Sequence, residues 1–338
     1  MLLLLLSSCG RYGSFTLPPA PGAASAAEAA PAPPRIRTHP QPVMDRAAPG
    51  GWESTDVLNP SVVALAGGRL LNVYSAYDGK TWHTGAAEST DGGLTWTRRT
   101  RILSPDLAWE GRYIAANGTA LARGGEILYW YQAGSPPRLG LARSTDAGRS
   151  WRKHGDPVLP TGPRGSWDER GVADPYVIDP GDGSGAVYMY FLGQNRARQQ
   201  RLGLARSTDG GVTWTKLRSN PIMEIGPEGA FDENGLGEPA VWSARGRWWM
   251  LYTGRDRAER RRLGLASSVD GVRWERWRDS AAILSGDAPW NVAVVCDPTV
   301  LPDPSRPGTF RLWFGGGDVP HPAENIHGAI GYAELAWN

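Results

Sequence analysis

Five polar side chains recur at nearly even spacing along the 338 residues: Asn59, Asn117, Asp174, Glu238 and Asp297. Each follows an aromatic residue (Trp52, Trp109, Trp167, Phe231 or Trp290) by seven or eight positions, and four of the five precede proline. Three are carboxylic acids. Carboxyl groups crowded into one small space cannot all ionise together, so some keep their protons while others stay charged. Two carboxyls in different protonation states are what general acid–base cleavage of a sugar acetal requires.

To gather, these residues must occupy the same place in a repeated unit. The intervals between them are 58, 57, 64 and 59 residues, the period of a four-stranded propeller blade with its loops. Each period also holds an aromatic-rich run such as Leu70–Tyr74, Ile127–Tyr131 or Trp248–Tyr252. A third run follows, as in Leu139-Gly140-Leu141-Ala142, Leu202-Gly203-Leu204-Ala205 and Leu263-Gly264-Leu265-Ala266. Such runs between glycine turns are strand signals. The expected fold is all-β, a five-bladed β-propeller with four antiparallel strands per blade. The fifth repeat ends at Asn338, too soon for an outer strand, so a segment near Arg35–Thr38 is expected to close the last blade and remove its open edge.

Four repeats continue into a Ser-x-Asp hairpin: Ser89 to Trp96, Ser144 to Trp151, Ser207 to Trp214, and the shorter Ser268 to Trp274. The pattern resembles the Asp-box of sialidases. Its aspartates are expected to bond turn amides, not to act on substrate. The five repeat aromatics are expected to pack between blades, because a residue present in every copy is what a repeat core needs. Asp168 and Asp232, next to such aromatics, are expected to cap turns.

Sixteen Trp, 44 Gly and 28 Pro suit many short strands and tight turns, and a net charge of +2 gives no general attraction to nucleic acid. The start, Met1, five Leu and Ser7-Ser8-Cys9-Gly10, resembles a bacterial lipoprotein signal. On that reading residues 1–9 are the signal, Cys9 is lipidated, and the exported protein is anchored to the membrane facing the periplasm or cell surface. Residues 10–34, rich in Ala and Pro, read as a flexible tether, and 35–338 as one glycosidase-like domain, a monomer. Cys296 has no disulfide partner in the mature chain and reads as a packed thiol.

The ring and the loops between second and third strands should share one face. Those loops offer Tyr77 and Trp82, the arginine-rich segments containing Arg196 and Arg255, and His321, Glu324 and His327. With Asn59 and Asn117, the side chains of Tyr77, Trp82, Arg196, Arg255 and His327 are the expected carbohydrate contacts. Over residues 36–338 the repeat and its acids resemble the five-bladed glycoside hydrolases of family 43 and its relatives in family 32. The resemblance implies a tuning Asp at Asp174-Pro175 and a general acid at Glu238-Pro239, with Asp174 holding up the pKa of Glu238. The first-blade base is replaced by Asn59, which can neither take up a proton usefully nor attack an anomeric carbon. Three substitutes are open: Asp56, Asp297, or external phosphate, as in the mannoside phosphorylases of family 130. The expected activity is inverting hydrolysis of an oligo- or polysaccharide. The alternatives are phosphorolysis and carbohydrate binding without catalysis; a sialidase-like chemistry fits less well, with five repeats and no arginine triad. No cofactor is required, and a cation at the ring centre is left open; His321 and His327 are a weak metal signal.

Overall fold

Runs of β-branched and aromatic residues divided by glycine turns give sheet throughout. The computed structural model describes residues 11–23, 32–278 and 281–337, and among them places 21 strands, two single-turn 3-10 segments and no α-helix. Strands β3 (Asp56–Ala64), β4 (Leu70–Tyr77), β5 (Trp82–Ser89) and β6 (Thr97–Leu103) pair in chain order as one antiparallel sheet. The next sheet repeats the arrangement with β7 (Ala115–Arg123), β8 (Glu126–Ala133), β9 (Arg138–Ser144) and β10 (Arg152–Lys153). A third contains β11 (Gly171–Ile178), β12 (Val187–Gln194), β13 (Gln200–Ser207) and β14 (Thr215–Leu217), with β1 (Arg11–Gly13) added in parallel to its outer edge.

The remaining strands are β15 (Gly235–Ala244), β16 (Arg247–Arg255), β17 (Arg261–Ser268), β18 (Glu275–Arg276), β19 (Val294–Pro302), β20 (Thr309–Gly317) and β21 (Ala329–Ala336). They form two antiparallel stacks joined into one sheet by a single parallel pair, Arg261 with Val294. On the far side β21 pairs with β2 (Arg35–Thr38), so an N-terminal segment supplies the outer strand beside the C-terminal one. The first strands touch in a cycle: β3 with β7, β7 with β11, β11 with β15, β15 with β19, and β19 with β3.

The repeated phrase around Leu-Gly-Leu has a packing cause. In every repeat the leading aromatic lies against an aromatic of the second strand, from Trp167–Phe191 at 5.6 Å between ring centroids to Trp109–Tyr131 at 6.3 Å. A Cβ at Gly203 would come within 2.5 Å of Trp167, and one at Gly331 within 2.6 Å of both Trp290 and Phe314. Only glycine leaves room for these rings, which fill the body of each sheet stack and do not reach the axis.

Behind each of the first four aromatics an acid is buried against a cation from the outer strand of its sheet. The pairs are Glu53–Arg98 (3.0 Å), Glu110–Lys153 (2.8 Å), Asp168–Lys216 (2.5 Å) and Asp232–Arg276 (3.2 Å). Tyr74, Tyr131 and Tyr252 add hydroxyl donors to Glu53, Glu110 and Asp232. Asp168 and Asp232 therefore do more than cap turns: they tie the chain segment before each first strand to the outer strand.

Residues 11–23, expected as part of a tether, are packed. β1 extends the third sheet, Leu17 donates its amide to Asp270 O at 2.9 Å, and the Trp248 indole donates to Pro18 O at 3.0 Å. Leu17 is 3% exposed and Phe15 tilts onto Tyr188. The segment straps the outer edges of two neighbouring stacks, because Phe15 and Leu17 find apolar ground there. Of the rest of the expected tether, residues 24–31 lie outside the described chain, as does the whole signal, Cys9 included.

Candidate active site

Each first strand breaks register at the same place: between Leu58 and Ser61, Ala116 and Thr119, Ala173 and Tyr176, Gly237 and Ala240, and Cys296 and Thr299. Two residues bulge out of each ladder, the polar residue and the Pro or Gly after it. A proline fits there because the ladder asks it for no amide hydrogen. The polar residue takes a left-handed backbone, with φ of 48° at Asn59, 49° at Asn117, 45° at Asp174, 43° at Glu238 and 52° at Asp297. Asn and Asp tolerate this conformation best and Glu less well. The bulge re-aims five side chains, and all five line one cavity of about 250 Å³.

The walls come from the hairpins between second and third strands. The first sheet contributes Trp82, whose ring stacks on Tyr77 at 5.0 Å. The third contributes Gln194 and Gln200, and the fourth stack contributes Arg255 and Arg261. At the rim stand Tyr113, Pro322 and Ala323, and Tyr113 donates its hydroxyl to Glu324 at 2.6 Å. An aromatic face, two amides and two guanidiniums around carboxyls suit a polyhydroxylated ligand with one flat apolar side.

Two of the acids resist ionisation. Burial, then the negative charges of Glu238 and Asp297, holds Asp174 well above the usual carboxylate range; Arg261 and an Asn117 hydrogen bond oppose this. Asp297, 6% exposed, is pushed up to about 7 by burial and then by Glu238. Its Oδ2 accepts from Asn59 N at 3.3 Å and from the Cys296 thiol at 3.1 Å. The same burial, with the charges of Asp297 and Glu238, drives the Cys296 thiol up and keeps it protonated and packed. Glu238 Oε2 and Asn117 Oδ1 are buried and have no hydrogen-bond partner among the described residues. Polar atoms left so in a native fold call for an explanation, and a ligand-binding role is one.

Of the residues expected from sequence, Asn59, Asn117, Asp174, Glu238, Asp297, Trp82 and Arg255 meet at the cavity. Asp56 does not. Its carboxylate accepts the amides of Asn325 (2.6 Å), Ile326 (3.1 Å) and Gly328 (2.7 Å), and burial raises its pKa despite them. It is a clasp for the 318–328 loop. Tyr77 supports Trp82 from behind. Arg196 points outward to Glu169 at 3.1 Å, and exposed His327 bonds Asp318 at 2.7 Å. Most of the arginine-rich loops pair with acids in the same way, Arg257 with Glu228 and Arg262 with Asp256. Among the described residues no cluster of three His, Cys, Asp or Glu is arranged to hold a metal ion.

Arg261 is the residue that sequence reasoning passed over within its loop. It is 8% exposed and lines the cavity. Its register position was a usable signal: Trp82, Pro137, Gln200 and Arg261 each stand two residues before the Thr-Gly or Leu-Gly of their third strand, and all four line the cavity.

The family model described as a BNR repeat-like domain matches residues 38–281. The chain belongs to that family. Over 86 residues the chain is 37% identical to a xyloglucanase of Acetivibrio thermocellus, covering 25% of this chain and 9% of the relative. Over 260 residues it is 25% identical to a sialidase of Micromonospora viridifaciens, covering 71% of this chain and 37% of the relative. The chain thus spans well under half the length of these curated relatives. Among solved structures, the β-1,2-mannobiose phosphorylase of Listeria innocua, in complex with β-1,2-mannobiose, superposes with a TM-score of 0.69 at 13% identity, over 89% of this chain and 96% of that one. At that identity the likeness shows a shared fold. The Ser-x-Asp hairpins of the BNR repeat-like domain lie away from the cavity. Asp91 accepts from Leu94 N and Thr95 N, Asp146 from Arg149 N and Ser150 N, and Asp209 from Val212 N and Thr213 N, each within its own turn.

Proposed function

We propose that this domain is a five-bladed β-propeller that cleaves glycosidic bonds of an oligo- or polysaccharide, with Glu238 as general acid and Asp297 as general base. The observation that carries the reading is the unpartnered Glu238 Oε2 in the wall of a cavity it shares with two carboxyls whose ionisation is resisted. Glu238 gives its proton to the glycosidic oxygen as the bond to the anomeric carbon breaks. Asp297 takes a proton from the water that attacks that carbon from the opposite face, so the product is inverted. Asp174 holds a proton in the cluster and limits the negative charge beside the reacting pair. Trp82, backed by Tyr77, offers a stacking face, while Asn59, Asn117 and Arg255 bond hydroxyls.

Asp297 is favoured over Asp56 as base because the Asp56 carboxylate is committed to three loop amides. Hydrolysis is favoured over phosphorolysis because the two arginines that line the cavity are already engaged, Arg255 with Glu259 and Arg261 with the His321 carbonyl. The lipid anchor at Cys9 and the monomeric state complete the proposal and rest on the sequence alone. The test is release of reducing sugar from a glycan panel, with and without phosphate, by the wild type and Glu238→Gln. Loss of turnover with a melting temperature no lower than that of wild type supports the assignment, and full activity in the variant removes Glu238 from the mechanism. Release that requires phosphate transfers the reading to phosphorolysis; binding without release transfers it to a lectin-like role.

A further inference from the structure

The fourth stack is where the third-strand position facing the cavity carries a charge: Arg261 stands where other repeats have Trp82, Pro137, Gln200 and Gly328. It is directly opposite Arg255 in the β16–β17 ladder. Two like charges in such a pair repel, and the hairpin separates them by giving each its own acids. Arg255 pairs with Glu259 at 3.4 Å, while Arg261 shares the cavity with Glu238 of β15, Asp174 of β11 and Asp297 of β19. Its Nη2 also donates to the His321 carbonyl at 2.8 Å. That carbonyl precedes Pro322 and Ala323, which form part of the cavity wall, in the loop whose other end Asp56 clasps. One guanidinium therefore lines the acid cavity and bonds the wall beside it, and its backbone makes the strand pair that joins two stacks.

We propose that Arg261 is the positioning residue of this site, tying the acid-lined cavity to the 318–328 wall and setting a fixed positive charge among Asp174, Glu238 and Asp297. The inference rests on the acid–base reading above for its catalytic consequence, but not for its structural one. A guanidinium suits the task better than an ammonium because its fork keeps the His321 carbonyl with one nitrogen and still presents charge to the cavity.

The test compares wild type, Arg261→Met and Arg261→Lys in two measurements. In the first, melting temperature is followed from pH 4 to 8 without substrate. Losing the cation raises Asp174 and Asp297 further in the folded chain, so the methionine variant is expected to lose stability more steeply than wild type as pH rises. The lysine variant is expected to follow the wild-type slope. Parallel curves for wild type and Arg261→Met overturn the proposal, whatever the protein's activity. In the second, kcat and KM are measured against pH on a cleaved glycan. Arg261→Met is expected to lose about 100-fold in kcat with KM little changed, and its acidic limb is expected to move up by about one pH unit or more, with partial recovery in Arg261→Lys. A rise in KM alone, with the profile in place, overturns it as well. A wild type without glycan turnover defeats the functional reading and leaves the melting comparison decisive. Arg261→Gln replaces the methionine variant if that chain does not fold.

Discussion

Replacing Asp297 by Asn is expected to make the protein more stable at neutral pH and to disable it. A carboxyl that binds its proton more tightly folded than unfolded favours folding in acid, and opposes it progressively as pH rises above the ordinary value. For Asp297 that window runs from 3.8 to about 7. At 1.36 kcal/mol per pH unit the full cost above the window is about 4 kcal/mol. Asp174 is held up in the same cluster, so removing one charge recovers about 2–4 kcal/mol. Asparagine keeps an oxygen for the Asn59 amide and carries no charge to bury. With about 2.1 cal/mol/K of unfolding entropy per residue, each kcal/mol is worth about 1.5 °C in a chain of this size. Asp297→Asn should thus melt about 3–6 °C higher than wild type at pH 8, and the gap should close by pH 4. Scanning calorimetry at half-unit pH steps measures this. A variant that melts with wild type or below it at pH 8 would refute the claim that the acid ring is kept at the expense of stability.

Two further outcomes test the supporting structure. Lys216→Met leaves Asp168 buried without its cation and is expected to cost about 3–5 kcal/mol; a melting temperature within a degree of wild type would show that the pair does not hold the third sheet. Leu17→Ala is expected to cost about 2–4 kcal/mol, because Leu17 is 3% exposed beneath the strap. A tether would show no change.

Repetition made most of the fold legible. The aromatic, the polar residue and the Leu-Gly phrase each recur because the same contacts are built again in each stack, so their spacing reports the period and their positions report the strands. Divergence between repeats hid the rest. Arg261 lies among Arg255, Arg257, Arg260 and Arg262, and composition cannot tell which of these faces inward; its place opposite Arg255 in the ladder and its own burial decide it. Asp56 and Asn59 share one strand, yet the bulge after Leu58 sends Asn59 to the axis while Asp56 stays with the loop amides. Residues 11–23 were hidden by company: Phe15 and Leu17 sit in a segment whose Ala and Pro content reads as spacer.

The most direct test of the central claim is the turnover of Glu238→Gln beside wild type on a glycan that wild type cleaves, with both proteins confirmed to bind it. Binding is expected to persist, release to fall by at least about 100-fold, the loss of general acid catalysis, and the melting temperature to be no lower than that of wild type. Undiminished release by the variant would contradict it.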